Sequence, residues 1–194
     1  GNEYLAARSE TSRADILLSQ RVDEAGAAFE SCLPVFRRLG LHRELVHSLT
    51  GLAFARIWQE RSGIAYAAEA TRIAYEAGDR DSIVLALRTH AEVLLTDRPA
   101  DALPLLEKAL AVARDLDNSE AQRSILVRIT ACLTALGDLA RAETTFVQAR
   151  RLRQQLAGST GDGDVEARGR MPRLHVDRHR AHVRPHRAVA QERQ

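Results

Sequence analysis

The side chains best suited to metal or nucleophilic chemistry in this 194-residue chain are seven histidines and two cysteines, and their spacing decides what they could do. His42, His47 and His90 are isolated, with no Cys or Ser nucleophile set beside them by a recognisable motif. His175, His179, His182 and His186 stand at i, i+4, i+7 and i+11, which on a helix would align four imidazoles for a transition metal. Pro185 interrupts that helix, and no shell of carboxylates is evident behind the rings. Cys32 and Cys132 lie 100 positions apart inside apolar helical patterns, which predicts two small buried residues and no disulfide. No C-x-x-C pair, H-E-x-x-H or glycine-rich phosphate loop occurs, and Asp and Glu are spread over helix surfaces. The expectation is no catalytic residue, no metal site and no cofactor.

The elements that carry these residues must be helices. Hydrophobic residues make up 45%, mostly Ala and Leu, while aromatics are only 4%. Ala, Leu, Arg and Glu lose little freedom in a helix, and a sheet would need more Val, Ile, Tyr and Phe. Residues 1–157 hold 20 basic and 21 acidic side chains, so any nucleic-acid footprint is confined to the remainder, with 8 Arg, 5 acids and four His. No apolar run approaches the roughly 20 residues that span a bilayer, and no signal peptide is present. The chain opens without Met in a helical pattern, and is expected to be a piece of a larger cytoplasmic protein with no membrane contact.

A repeat organises the helices. Between Leu136 and Ala149, the small Ala142 is followed four positions on by Phe146 and three further by Ala149, all on one helix face. Ala102, Leu106 and Ala109 repeat the pattern, as do Ala25, Phe29 and Cys32, and Gly63, Ala67 and Ala70 form a degraded copy. Successive offsets are 38, 39 and 40 residues. Between these units run apolar rhythms of helical period, such as Leu45, Leu49 and Leu52, or Ile125, Ile129 and Leu133. Helices are predicted over 3–20, 22–39, 42–61, 63–77, 81–96, 99–116, 119–136 and 139–157. Gly78-Asp79 and Gly137-Asp138 read as a stop followed by an N-cap, and Asp97 and Asn118 as further caps. Pro34 and Pro104 should bend or shorten their helices. Each helix pair exposes an apolar face that only a neighbour can bury. The fold expected is all-α: a right-handed α-solenoid of about four antiparallel helix pairs over 1–157, then a tail over 158–194.

The small-large-small unit resembles the second helix of the tetratricopeptide repeat family. Gly51 and Phe54, 12 and 9 residues before Gly63, match the glycine and aromatic positions of that family's first helix, and Ile129 and Leu133 match in the last repeat. The resemblance covers 3–157. A period near 40 where about 34 is usual, with EAGD and ALGD turns, is similar to arrays in large bacterial LuxR-type and antibiotic-pathway transcriptional regulators. The ATPase motif that precedes those arrays and the helix-turn-helix that can follow them do not occur here.

This resemblance implies a concave groove lined by first helices. Carrying its register over places Ser48, Leu52, Ala55 and Arg56 there, then Leu87, Ala91, Leu94 and Leu95, then Val127, Ala131, Thr134 and Ala135. Such a surface is largely apolar and suits an amphipathic helix or apolar peptide. It lacks the Lys and Asn clamp of chaperone-binding members. Alternatively, Leu94 and Leu95 simply contact the next repeat. Arg88 and Arg128, 40 residues apart, make either a basic stripe or ordinary ion pairs, and Trp58 is either an exposed anchor or packed on the adjacent turn.

Gly158 to Asp164 reads as a flexible linker, and Arg168 to Arg193 holds too few large apolar residues to fold alone, so disorder is expected. Besides metal binding, this tail is open to nonspecific phosphate contact, or to being no selected sequence at all. The function expected is a non-catalytic protein- or peptide-binding scaffold, the sensor or interaction region of a larger bacterial transcriptional regulator. Nucleic-acid binding through the tail and small-molecule sensing within the solenoid are the alternatives, and homo-oligomer formation stays open.

Overall fold

A computed structural model describes residues 2–59 and 61–159, and among them all regular structure is helical. The eight helices are α1 (Asn2–Leu17), α2 (Val22–Leu39), α3 (His42–Trp58), α4 (Ile64–Ala77), α5 (Arg80–Leu95), α6 (Pro99–Asp115), α7 (Ser119–Ala135) and α8 (Leu139–Ser159). Every expected helix is present, with ends within three residues of those read from the sequence. Gly158 and Ser159, read as linker, extend α8. The Arg/His-rich tail and its four histidines lie outside the described residues.

The turns are made by the residues that signalled them. Gly78 and Gly137 sit in the left-handed region at φ +64° and +81°, where a β-carbon would crowd the backbone. The Asn118 carboxamide accepts the Ala121 N–H at 2.9 Å, and the Asp138 carboxylate accepts that of Arg141 at 3.2 Å. Arg98, not Asp97, occupies the N-cap position of α6, and its side chain makes no capping hydrogen bond there. Pro34 and Pro104 lie inside unbroken helices, contrary to the expected shortening. A proline inside a helix costs about 3 kcal/mol, and around Pro34 the burial of Phe29, Cys32, Leu33 and Phe36 outweighs it at roughly 1.5–3 kcal/mol for each large side chain.

Each helix packs against its neighbours in sequence, and α3 also touches α1 and α5, while α5 touches α7. The second helices of the pairs, α2, α4, α6 and α8, do not touch one another. First helices thus form a closer inner row, and second helices an outer row that splays apart. This is an all-α helical-repeat solenoid.

Its seams place a small residue at the fourth position of each second helix: Ala25, Ala67, Ala102 and Ala142, all buried. The eleventh position holds Cys32, Ala74, Ala109 and Ala149, again buried. The second copy of the repeat is therefore Ala67, Thr71 and Ala74. Gly63 instead precedes α4 as its N-cap, where a β-carbon would come within 2.5 Å of the Ala53 carbonyl oxygen. At the eighth position Phe29 and Leu106 are fully buried, but Phe146 is 52% exposed. Unlike its counterparts in the repeat, Phe146 fills no gap between helices, because no described helix follows α8 to cover it. Cys32 and Cys132 are free and buried. Their thiols donate to the carbonyls of Ala28 and Pro99 at 3.2 and 2.9 Å, and burial pushes the Cys132 thiol pKa up.

Candidate binding groove

Helical spacing sets Arg8, Thr11, Ser12 and Asp15 along one face of α1, and Arg43, Glu44 and His47 along one face of α3. Asp81, Ser82 and Leu85 do the same on α5. The stacking of first helices lays these three stripes side by side around a cleft of about 550 Å³, with Phe36 of α2 also lining it.

The stripes are bonded to one another. Both Asp15 oxygens approach the His47 Nε2, at 2.9 and 3.0 Å. Arg8 donates to the Tyr4 hydroxyl at 3.2 Å, and that hydroxyl donates to Glu44 at 3.3 Å. From α3, Arg43 reaches Asp79 at 3.1 Å and Asp81 at 3.3 Å. The Ser82 hydroxyl donates to Asp79 at 2.6 Å, and this bond, with Arg43 adding to it, holds the Asp79 carboxyl below its ordinary range. Exposed pairs of this kind contribute about 0–1 kcal/mol each, so their effect here is to orient side chains. The cleft presents cations, anions and hydroxyls in alternation.

An Asp–His pair is half of a nucleophile-activating arrangement, but the nearby hydroxyls are committed elsewhere. Ser12 donates to the Arg8 carbonyl at 3.1 Å and Ser82 to Asp79. Among the described residues no cluster of three His, Cys, Asp or Glu side chains could hold a metal ion.

The residues assigned to a groove by resemblance do not line this cleft. Ser48, Leu52, Ala55, Leu87, Ala91 and Leu94 are buried, so they offer no surface to a partner. The physical reason is that an internal first helix is gripped by helices on several sides, and α3 and α5 each pack on four. Leu95 is half-buried. Arg56 is half-buried as well, paired with Glu30 at 3.2 Å and set over the Tyr66 ring. Val127, Ala131, Thr134 and Ala135 on α7 are exposed or half-buried, and none of them lines the cleft.

Arg128 forms an ion pair with Glu92 at 2.5 Å. Arg88 keeps a buried Nε without a partner, and burial, reinforced by the charge of Arg128, lowers its guanidinium pKa. Trp58 is 51% exposed, so packing on the adjacent turn does not hide it. Sequence reasoning singled out His47 but not Arg8, Asp15, Arg43 or Asp81. Asp15 and His47 are 32 residues apart, and nothing in the sequence marks them as partners until α1 and α3 stack.

Fold and groove together define an all-α array of stacked helix pairs with a polar cleft on its inner row. No family model and no curated protein matches the chain. Among solved structures, the crystal structure of BtubC (BKLC) from P. vanneervenii is similar, with a TM-score of 0.69 and 18% identity. The match covers 87% of this chain and 70% of that one, and at this identity the likeness is one of fold.

Proposed function

We propose that this chain is a non-catalytic scaffold of tetratricopeptide type, which binds a peptide or protein segment in the cleft between α1, α3 and α5. The observation that carries the reading is the cleft itself: about 550 Å³, open, and lined by Arg8, Asp15, Arg43, His47 and Asp81 from three separate helices. Opposed charges from three rigid elements suit a segment of mixed charge, in place of the apolar one first expected. Hydroxyls already committed to carbonyl and carboxylate acceptors support binding over chemistry. The repeat period and its turns support placing the array in a larger bacterial regulator.

A phage-displayed library of random peptides, panned against the full chain, tests this. Recovered peptides are expected to bind the Arg43→Glu and Asp15→Lys variants about tenfold more weakly by fluorescence anisotropy, a loss near 1.4 kcal/mol. Recovery of nothing, or of peptides indifferent to both changes, sinks the reading. The cleft volume also falls in the range of about 300–1,000 Å³ typical of small-molecule sites. Small-molecule sensing therefore stands as the second reading, and a ligand screen by thermal shift checks it, with about 3 °C as a positive response.

A further inference from the structure

We propose that the open groove between α7 and α8 is a second docking site, built for an acidic amphipathic helix from another polypeptide. Every earlier second helix has a first helix lying across it: α3 on α2, α5 on α4 and α7 on α6. None of the described helices lies across α8 in this way. The consequence is visible at one register position, where Phe29 of α2 is 0% exposed and Phe146 of α8 is 52% exposed. Val127, Phe146 and Ala149 form the apolar floor of the groove, and Arg123, Arg150 and Arg153 form its rim.

The occupant's chemistry follows from the helix that fills the equivalent groove. Phe29 lies under Gly51 of α3, so closely that a β-carbon there would come within 2.4 Å of the ring. A helix covering Phe146 in the same way therefore needs Gly at its point of closest approach. Arg123 is paired with Glu120, but Arg150 and Arg153 take part in none of the ion pairs found among the described residues, so the flank facing them must be acidic.

Charge argues against one nearer candidate, and the need for glycine against another. Residues 160–194 hold eight Arg and five acids, and would bring net like charge to the rim. The α1 helix of a second copy contains no glycine to lie against the Phe146 ring.

The test uses the full chain and a fluorescent synthetic helix of about 18 residues, with a Gly at the centre of an Ala seam flanked by Glu, and a companion with Lys in place of Glu. The Glu peptide should bind about tenfold more tightly than the Lys peptide, and this preference should shrink in high salt. Phe146→Asp and the double change Arg150→Glu/Arg153→Glu should each weaken it by about tenfold while leaving the far-ultraviolet spectrum unchanged, since all three side chains are exposed. Arg43→Glu should leave this affinity unchanged, which separates the result from that of the inner cleft. Equal affinity for the two peptides, or indifference to Phe146→Asp, overturns the proposal. So does a concentration-dependent dimer that Phe146→Asp abolishes, which makes a second copy the occupant. A tenfold gain in affinity on removing residues 160–194 makes that segment the occupant and overturns it too.

Discussion

At Gly51 an added β-carbon would lie 2.4 to 2.7 Å from three ring atoms of Phe29, closer than carbon atoms approach. The ring is fully buried, so either it or α3 must move. Overpacking of this kind costs about 1–3 kcal/mol, against about 1 kcal/mol gained by Ala over Gly inside a helix. The clash outweighs that gain over most of its range, and Gly51→Ala should lower stability by up to about 2 kcal/mol in urea unfolding with an unchanged slope. Adding Phe29→Leu should remove part of that loss, and strict additivity would show that the two residues do not meet. His90 supplies a second test. Half-buried on α5, with Nδ1 3.4 Å from the Thr71 hydroxyl, it has its pKa held below the ordinary 6.5 by burial and then by the charge of Arg98. The folded value is the lower one, so protonation favours the unfolded chain. Its contribution is complete above about pH 6.5 and is lost as pH falls through the folded value. Stability should fall between about pH 7.5 and about pH 5.5, where carboxylates stay ionised, and His90→Gln should fall less. Identical slopes in both proteins would refute the assignment.

Two phenylalanines at one register position show what an element's neighbours contribute. Phe29→Ala removes a ring enclosed by α2 and α3 and should cost about 3–5 kcal/mol, whereas Phe146→Ala should stay within about 0.5 kcal/mol. Comparable losses in thermal unfolding would mean that Phe146 is covered in solution. The same pair shows what was legible before the structure. Alanine spacing, apolar rhythm and the Gly-Asp turns located all eight helices, because each is written in contiguous residues. The second repeat slipped by four residues because Gly63, small and followed by Ala67 and Ala70, imitates the seam while serving as a cap. The site was much less legible. The family register points Leu52 and Leu87 at a groove, but here both are enclosed by neighbouring helices, and the polar stripes that replace them come from residues more than thirty positions apart. Neither the depth of a helix within its array nor the angle between stacked pairs is written in any local pattern.

For the whole array, the decisive fact is that contacts reach only the next helix or the one after it. Stability in such a chain is close to a sum of terms for single repeats and for their shared faces, so removing an end pair should shorten the solenoid without dissolving it. A closed bundle behaves otherwise, since every helix there contributes to one centre. A chain ending at residue 117 keeps α1 to α6 and loses the faces that α7 makes with α5 and α6. By register, Leu106, fully buried in the complete chain, then takes the position Phe146 holds now: an apolar side chain on the last second helix with nothing across it. The shortened protein should unfold cooperatively at a lower midpoint and show roughly three-quarters of the helical circular-dichroism signal, the share that α1 to α6 hold of the helical residues among those described. It should also associate through the new end, and Leu106→Gln should suppress that association at little further cost in stability. If the shortened chain shows no helical signal, the six remaining helices depend on the end pair, and the nearest-neighbour account of this fold is wrong.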